Sequence, residues 1–367
     1  MTEKIDLKNL SPSDLEGLVA TYGKERYRAT QILKWLYHHG IRSLEGMTNL
    51  SKTLRHALGQ RSFISSLHPL HVEESRDGTK KFLFQLEDGH RIESVLIPDQ
   101  RRLTLCISTQ VGCAMGCRFC LTGRMGFKRN LTTAEMVNQI LAVKETLPEK
   151  TALTNIVLMG MGEPLANYEN TLKAIRLMTH PEAFNYSSRR VTLSTVGLIP
   201  ELERLSHEEV RFRLALSLNA TDEETRSRLM PINRRHPLSK VLELCRRFPL
   251  PPRARITFEY VLIRGENDSI QDAKRLVKLL KGIPSKVNLI PLNEAPGIPF
   301  KRPSEETLEG FQKVLLESGL TAIVRKSKGS DISAACGQLQ GKFPRKSEAP
   351  HRSEEEEKRG CDSVATP

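Results

Sequence analysis

Short apolar segments alternate with longer amphipathic segments from residue 103 to residue 326, and this alternation restricts the fold more than any other feature of the sequence. Short apolar runs predict β-strands, and apolar residues at helical spacing predict α-helices between them. A repeated strand–helix order predicts a parallel sheet with helices outside it, either open or curled into a barrel. The predicted strands are residues 103–109, 155–160, 190–195, 212–218, 256–262 and 287–291, with a further short one at 321–326. The predicted helices are residues 133–145, 169–178, 199–205, 238–248, 270–280 and 304–318.

Two regions precede this series and one follows it. Residues 1–75 predict a small, basic, helical domain, which would either dock RNA or only pack against the remainder. Residues 76–100 predict a β-hairpin extension that carries Glu93 on its second strand. Residues 101–340 would form the α/β domain. Residues 341–367 have no apolar periodicity and predict a disordered tail, in which Cys361 has no function.

The composition restricts the partners of the chain. It has 56 Lys and Arg against 43 Asp and Glu, a net charge of +13. This excess fits either a polyanionic partner such as RNA or DNA, or a basic surface that only aids solubility. No apolar run approaches the ~18 residues that span a bilayer, and the first residues lack the pattern of a secretory signal peptide. The sequence therefore predicts a cytoplasmic protein that does not bind membranes.

Three of the seven cysteines lie in one short segment after the first strand of the series. Cys113, Cys117 and Cys120 have the spacing C-x3-C-x2-C, and Gly112 and Gly116 allow the backbone to bend around a bound group. An odd number of cysteines without a secretory context favours metal binding or catalysis over a disulfide framework. The spacing therefore predicts three thiolate ligands on one small metal centre.

Several kinds of centre compete for these ligands. A structural zinc site usually has four protein ligands, and the nearest fourth cysteine, Cys106, lies back in the predicted strand. An electron-transfer ferredoxin ligates every iron of its [4Fe–4S] cluster, and a chance grouping of buried cysteines binds nothing. Three cysteines on a four-iron cluster leave one iron open. S-adenosylmethionine can chelate that iron through its amino and carboxylate groups, so we predict a [4Fe–4S] cluster that binds S-adenosylmethionine.

Polar residues follow the predicted strands where a cofactor would bind. The carboxyl ends of parallel strands meet at one rim, and β/α proteins bind ligands there. Gly162 would let the backbone approach the cofactor, and Glu163 would accept a hydrogen bond from its ammonium group. Each such residue alone is more often an ordinary turn residue, and only their shared position favours cofactor binding. The predicted cofactor-binding residues are Gly162, Glu163, Ser194, Ser217, Leu218, Asn219 and Asn293.

Two other cysteines lie within residues 101–340. Cys336 is surrounded in sequence by small residues near its end. A free cysteine is more often a buried structural residue than a catalytic one, and the residues alone leave both roles open for Cys336. Cys245 lies beside Leu242 and Leu244 on one predicted helix and is expected in the core.

Four segments together carry a family resemblance. They are Arg-Tyr-Arg-Ala-Thr-Gln-Ile-Leu at residues 26–33, the cysteine loop with Cys106 before it, Met-Gly-Met-Gly-Glu-Pro at residues 159–164, and residues 331–339 around Cys336. In combination they resemble the RlmN/Cfr family of radical S-adenosylmethionine adenine methyltransferases over nearly the whole chain except the tail. The resemblance implies an α/β fold with a partial (β/α)6 barrel and a [4Fe–4S] cluster on the three cysteines.

The resemblance also implies roles for three further residues. Cys336 would be methylated by one S-adenosylmethionine, and a second molecule would supply a radical that takes hydrogen from this methyl group. The resulting methylene radical would add to an amidine carbon of adenine, C2 or C8. Glu93 would then remove the ring proton, and Cys106 would release the product by forming a disulfide bond with Cys336.

The implied substrates are 23S ribosomal RNA at the peptidyl transferase centre and transfer RNA, at an adenosine of the anticodon loop. The electron donor would be a protein such as flavodoxin, and the enzyme would be a monomer. We expect methylation at C2. The nearest alternative is a C8-specific enzyme that confers antibiotic resistance, and an alternative of another class is a non-catalytic iron–sulfur or zinc protein that binds RNA.

Overall fold

The computed structural model describes residues 4–149 and 151–342, so most of the predicted tail, including Cys361, lies outside the described residues. The strands are β1 (Ile5–Asp6), β2 (Ser62–Phe63), β3 (Pro69–Glu74), β4 (Lys80–Gln85), β5 (Arg91–Asp99), β6 (Arg102–Cys106), β7 (Gln110–Gly112), β8 (Phe127–Asn130), β9 (Asn155–Leu158), β10 (Val191–Thr195), β11 (Arg213–Ser217), β12 (Ile256–Leu262), β13 (Ser285–Pro291) and β14 (Ala322–Val324). The α-helices are α1 (Pro12–Thr21), α2 (Tyr27–Tyr37), α3 (Lys52–Arg61), α4 (Leu121–Arg124), α5 (Thr133–Glu145), α6 (Tyr168–Thr179), α7 (Ile199–Ser206), α8 (Glu223–Leu229), α9 (Leu238–Arg247), α10 (Ile270–Leu280) and α11 (Glu305–Glu317).

A ten-stranded sheet forms the centre of the molecule, in the order β14-β13-β12-β11-β10-β9-β6-β5-β4-β3. From β6 to β14 its neighbouring strands are parallel, as the strand–helix alternation predicts. Helices connect these strands, and β12 is buried along nearly its whole length, as expected for a strand covered on both faces. Within the described residues β14 and β3 end the sheet without pairing to each other, so the barrel is partial.

The predicted hairpin at residues 76–100 is part of this central sheet. It forms β4 and β5, and β5 pairs antiparallel with β6, so Glu93 lies on the strand next to the first parallel strand. The prediction of a purely helical region up to residue 75 is wrong at its end, because Pro69–Glu74 form the edge strand β3. Leu70 and Val72 of this strand are 44% and 42% exposed, so its alternating pattern does not mark a buried face.

The N-terminal helices form as the sequence predicts. Ser11 caps α1 in a reciprocal capping box with Asp14, which stabilises the first turn. The apolar face of α2 is buried, including Ile32 and Leu36. These residues pack into the same apolar core as the central sheet.

A buried lysine joins the N-terminal segment to α5. The Nζ of Lys8 donates to the Oδ1 of Asn138 at 2.7 Å and to the carbonyl oxygen of Ser65 at 2.8 Å. Asn9 accepts a hydrogen bond from the N–H of Ala134 in the first turn of the same helix. Because α5 lies between the sheet and this segment, almost all of its residues are buried. Across the described part of the chain, no helix has the length and apolar character that crossing a membrane requires.

Candidate active site

The three cysteines of the C-x3-C-x2-C motif lie in a loop that is closed at its base by a small sheet. β7 leads into this cluster loop (residues 113–126) and pairs antiparallel with β8, which follows it. The N–H of Cys113 donates to the carbonyl oxygen of Gly126 at 3.0 Å. Gly112 has a φ of +74°, and a Cβ atom there would overlap the same carbonyl oxygen. Only glycine therefore fits at residue 112 without moving the chain that carries Cys113.

The three thiols lie in a common, water-poor environment. Burial raises the pKa of Cys113 to about 12, and it raises the pKa values of Cys117 and Cys120 as well. Charge on Cys113 and Cys120 adds to the effect at Cys117, so the sulfur atoms are close enough to interact. Such thiols are poor nucleophiles, whereas bound iron would stabilise their thiolate form.

The cluster loop offers three cysteine thiolates as ligands for a metal centre. Within residues 4–149 and 151–342, no group of three or more His, Cys, Asp or Glu side chains is arranged to hold one metal ion. In a four-iron cluster each cysteine ligates a different iron, so the sulfur atoms stay further apart than the ligands of one ion. Three thiolates leave one of four irons without a protein ligand, so this set of ligands fits the predicted [4Fe–4S] cluster.

A buried arginine that no sequence pattern predicted, Arg226, lies behind the cluster loop. Arg226 on α8 is fully buried, and its positive charge acts on the Cys117 thiol. Its guanidinium donates to carbonyl oxygens at the ends of two parallel strands, those of Val196 at 2.8 Å and Leu218 at 3.1 Å, and to the Oδ1 of Asn233 at 2.7 Å. Removal from water lowers the pKa of Arg226 to about 10, so it remains charged at neutral pH. It is a fixed cation beside a site that would hold an anionic cluster.

The loop after β9 packs directly against the chain that enters the cluster loop. Gly162 has a φ of +108°, and a Cβ atom there would lie 2.6 Å from the Cβ of Gln110. The N–H of Glu163 donates to the Oε1 of Gln110 at 2.9 Å. The carboxylate of Glu163 accepts from the N–H groups of Leu165 and Val196, and burial raises its pKa to about 7. Glu163 thus links the ends of β9 and β10, in addition to its predicted role toward the cofactor.

The strand register places Glu93 and Cys106 on one face of the sheet. Paired residues, and residues two apart on one strand, point to the same face. Cys106 is paired with Val95, two residues from Glu93, and also with Val157 on β9. Val157 is in turn paired with Thr192 of β10, so this face continues across the parallel strands.

The same face continues to the predicted serines. Ser194 lies two residues from Thr192 and is paired with Ala215, which lies two residues from Ser217. Ser217 is paired with Glu259, a buried carboxylate that the sequence analysis missed, and Glu259 accepts a hydrogen bond from Asn288 at 2.8 Å. Burial raises the pKa of Glu259. Its signal in the sequence is an acidic residue inside an otherwise apolar strand.

Two of the predicted cofactor residues have structural contacts of their own. Asn219 is buried with a φ of +57°, and its Oδ1 accepts from the N–H of Val261 at 2.8 Å. Leu218 is buried, and its N–H donates to the carbonyl oxygen of Glu259 at 2.9 Å. These contacts fix the chain at the end of β11 in place beside the site.

The loop that carries Cys336 lies directly on the cluster loop. The N–H of Leu121 donates to the carbonyl oxygen of Gly337 at 2.8 Å, and the hydroxyl of Thr122 donates to the carbonyl oxygen of Leu339 at 2.7 Å. A Cβ atom at Gly337 would lie 3.3 Å from the carbonyl oxygen of Phe119. Asn293, a predicted cofactor residue, donates to the carbonyl oxygen of Cys336 at 3.1 Å, so it also contacts the methyl-carrier candidate.

Cys336 and Cys106 lie close to each other without a bond between them. Solvent reaches Cys336, yet protein atoms surround its thiol closely enough for desolvation to raise its pKa. Cys106 is buried, and its pKa is raised by burial and then by the charge of Cys336. All six cysteines of the described residues are free thiols, so the structure does not show the Cys106–Cys336 disulfide that the resemblance implies. The core position predicted for Cys245 is confirmed by its burial.

Glu93 holds the end of the Cys336 loop. Its Oε2 accepts from the N–H groups of Gln340 at 2.7 Å and Gly341 at 3.0 Å. The Nζ of Lys81 lies 3.6 Å from the Oε1 of Glu93 and donates to the carbonyl oxygen of Ile332 at 2.6 Å. Burial raises the pKa of Glu93, while the Gly341 amide and the Lys81 charge partly oppose this shift. The carboxylate is therefore a stronger base than that of an exposed glutamate.

Comparison with known proteins identifies the family. A profile of the Radical SAM superfamily matches residues 107–278, and one of the ribosomal RNA large subunit methyltransferase N-terminal domain matches residues 5–64. A dual-specificity RNA methyltransferase RlmN from Pelobacter propionicus is 56% identical over 343 residues, which cover 94% of this chain and 98% of the relative. The chain belongs to the RlmN family of radical S-adenosylmethionine RNA methyltransferases. Enzymes of this superfamily use a [4Fe–4S] cluster and S-adenosylmethionine, so the predicted cofactors are confirmed.

Further relatives agree with this membership. A second RlmN, from Geobacter sulfurreducens, is 55% identical over 94% of each chain. The crystal structure of a radical SAM methyltransferase from Sphaerobacter thermophilus has 46% identity and a TM-score of 0.85, and the alignment covers 92% of this chain and 100% of that one. The predicted fold class and methyltransferase activity are therefore confirmed. The relatives do not favour the C8-specific alternative, and they leave the non-catalytic alternative without support.

Proposed function

We propose that this enzyme methylates C2 of adenine in 23S ribosomal RNA and in an anticodon-loop adenosine of transfer RNA, with Cys336 as the methyl carrier. One observation carries the proposal: the Cys336 loop lies against the cluster loop and against two further reactive groups. The Cys336 loop is hydrogen-bonded to the cluster loop and to the Glu93 carboxylate, and the charge of Cys336 acts on the pKa of Cys106. A generic radical enzyme needs the cluster loop but has no use for this second set of thiol and carboxylate groups. The name of the relatives, dual-specificity RNA methyltransferase, supports two RNA substrates.

The cofactors would be held by residues from the cluster loop and the rim. Cys113, Cys117 and Cys120 would ligate the cluster. The rim residues Gly162, Glu163, Ser194, Ser217, Leu218, Asn219 and Asn293 would surround S-adenosylmethionine. When bound, the cluster and S-adenosylmethionine supply a one-electron reduction that produces a 5′-deoxyadenosyl radical, with a donor such as flavodoxin as the electron source.

Cys336 solves the chemical problem of methylating C2. This carbon lies between two ring nitrogens and is electron-poor, so it does not attack a methyl donor. A methyl group on the Cys336 sulfur would lose a hydrogen atom to the radical, and the resulting carbon radical can add to C2. Two S-adenosylmethionine molecules are used per turnover, one for the methyl group and one for the hydrogen abstraction.

Glu93 and Cys106 would release the product. The radical adduct formed at C2 would give up one electron to the oxidised cluster. Glu93, whose pKa is raised by burial, would take the proton from C2 of the protein–RNA adduct. The Cys106 thiol would attack the Cys336 sulfur and break the bond from that sulfur to the methylene carbon. This carbon would take a proton and become the methyl group on C2, and a Cys106–Cys336 disulfide would remain. Charge on Cys336 influences the pKa of Cys106, which supports a short path between the two sulfur atoms.

The remaining parts of the chain support RNA binding. We propose that residues 1–75 dock the RNA, since residues 5–64 match a domain specific to this methyltransferase family. The hairpin at residues 76–100 would supply Glu93, and residues 101–340 would form the catalytic barrel. The enzyme would act as a monomer in the cytoplasm, where its RNA substrates are made and used.

Nucleoside analysis tests the proposal. The reconstituted, reduced enzyme is incubated without oxygen with S-adenosylmethionine and either a 23S ribosomal RNA fragment or transfer RNA, and the digested RNA is analysed by mass spectrometry. We expect 2-methyladenosine from both RNAs, and 5′-deoxyadenosine from the cofactor. Cys336→Ala should give no methylated RNA, whereas the matched variant Cys245→Ala should retain the activity. 8-Methyladenosine as the sole product, or full activity of Cys336→Ala, would contradict the proposal.

A further inference from the structure

Phe127 is an exposed aromatic residue at the base of the cluster loop. It is the first residue of β8, and 45% of its surface is exposed. Its partner on β7 is Gly112, which has no side chain to cover the ring. The preceding residue, Gly126, accepts the hydrogen bond from the N–H of Cys113. Phe127 therefore lies next to the backbone of the first cluster ligand, with its ring open to solvent.

Two cations lie within three residues of Phe127 in the sequence. Arg124 ends α4, and Lys128 directly follows Phe127; both side chains are exposed. Neither forms an ion pair with any residue in the described part of the chain. The next cation, Arg129, differs, because it is bound to Asp88 at 2.5 Å and to Glu135 at 2.8 Å. The surface beside the ring thus keeps its positive charge.

This surface adjoins the loop that carries Cys336. A Cβ atom at Gly297 would lie 3.7 Å from the Nη1 of Arg124, so the arginine reaches the segment after β13. The same segment accepts a hydrogen bond from the Cys336 loop, from the Nε2 of Gln338 to the carbonyl oxygen of Glu294 at 2.9 Å. The surface formed by Arg124, Phe127 and Lys128 therefore lies at the edge of the site.

We infer that this surface, which we name the stacking surface, binds the nucleotide next to the target adenosine. The inference rests on the proposed function, because it concerns the same RNA. An adenine that leaves its stack to reach Cys336 leaves a neighbouring base without a stacking partner. The Phe127 ring stacks on that base, and Arg124 and Lys128 bind the adjacent phosphates. Aromatic stacking tolerates any base, which suits an enzyme with two different RNA substrates.

Variants of Phe127 test this role. Phe127→Ala should lower kcat/KM for RNA about 5- to 150-fold, as expected for the loss of one stacked base. Phe127→Leu should lower it similarly because it keeps apolar bulk without an aromatic face, and Phe127→Trp should restore it. The control is Leu316→Ala on α11, which removes a similarly exposed apolar side chain outside the cluster loop and should leave kcat/KM unchanged. Iron content and methylation of Cys336 without RNA should stay at the wild-type level in every variant.

Modified RNA tests the inference without changing the protein. Two RNAs are prepared, each lacking the base on one side of the target adenosine. One of the two should lower kcat/KM for the wild-type enzyme as much as Phe127→Ala does. The two losses should not add, because both remove the same contact. Full additivity on both sides, or unchanged kcat/KM for Phe127→Ala with normal iron content, would overturn the inference. Absence of RNA methylation by the wild-type enzyme would instead refute the proposed function itself.

Discussion

Replacing Gly112 with alanine tests how tightly the cluster loop is closed at its base. Gly112 and Gly126 both have positive φ, +74° and +71°, so alanine at either position carries the same left-handed backbone strain, about 1–2 kcal/mol. The two positions differ in space. A Cβ atom at Gly126 has no neighbour within 4 Å, whereas one at Gly112 overlaps the carbonyl oxygen of Gly126. Gly126→Ala is therefore a matched control that isolates the close contact.

The overlap at Gly112 has a calculable consequence. The carbonyl must move, and the hydrogen bond that it accepts from the N–H of Cys113 is lost. Leaving such a buried donor without a partner costs about 1–3 kcal/mol. Added to the backbone strain, Gly112→Ala should destabilise the loop by about 2–5 kcal/mol, against about 1–2 kcal/mol for Gly126→Ala.

Cluster retention is the assay for this difference. Both variants are reconstituted without oxygen, and iron and sulfide per chain are measured before and after exposure to a chelator. We expect Gly126→Ala to retain its cluster nearly as well as the wild type, and Gly112→Ala to lose it much faster. Equal retention in the two variants would refute the claim that the contact between residues 112 and 126 holds Cys113 in place.

Three further predictions concern single residues. Lys81→Met removes the cation 3.6 Å from Glu93, so the pKa of Glu93 should rise further and the acidic limb of the pH–rate profile should move to higher pH. The control variant Lys80→Met, at the neighbouring residue, should leave this limb unchanged. An unmoved limb in Lys81→Met would argue against Glu93 as the base. Cys106→Ala should accumulate a covalent protein–RNA adduct on denaturing gels, whereas Cys245→Ala should not, and clean turnover by Cys106→Ala would exclude Cys106 as the resolving thiol. Burial lowers the pKa of Lys8 from 10.5 to about 8, so the unfolded chain binds more protons between these values and the stability contributed by this residue rises with pH by about 3 kcal/mol across that window. The free energy of unfolding, measured with denaturant from pH 8 to pH 10.5, should rise less for Lys8→Met than for the wild type or the exposed control Lys4→Met. An equal rise in all three would contradict the lowered pKa of Lys8.

The parallel strands could be predicted because each is a short apolar run between helices. That signal is local, and it gave the series from β6 to β14 together with the rim at its carboxyl ends. Edge strand β3 was not predicted. Its apolar residues Leu70 and Val72 are exposed, so the alternation of apolar and polar residues along it does not correspond to a buried face. The place of the hairpin in the central sheet also escaped, because a sequence pattern does not say that β5 pairs with β6.

Some residues of the site could be recognised from a local sequence pattern, and others could not. Cys113, Cys117 and Cys120 could be recognised because one short loop contains all three. Arg226 could not, because its partners lie from Val196 to His236 and include carbonyl oxygens, which carry no sequence signal. The resemblance to a family suggested roles for Glu93 and Cys336, but the contact between the Glu93 carboxylate and the Gln340 amide joins residues 247 positions apart and is visible only in the fold.

The most direct test of the account is the mass of the Cys336 peptide. The wild-type enzyme is purified with its cluster, supplied with S-adenosylmethionine without oxygen, and digested for mass spectrometry. We predict one added methyl group on Cys336, derived from S-adenosylmethionine when its methyl group is isotopically labelled, and transfer of that label to the methyl carbon on adenine once RNA and reductant are added. An unmodified Cys336 in enzyme that methylates RNA would contradict the role of this residue as the methyl carrier.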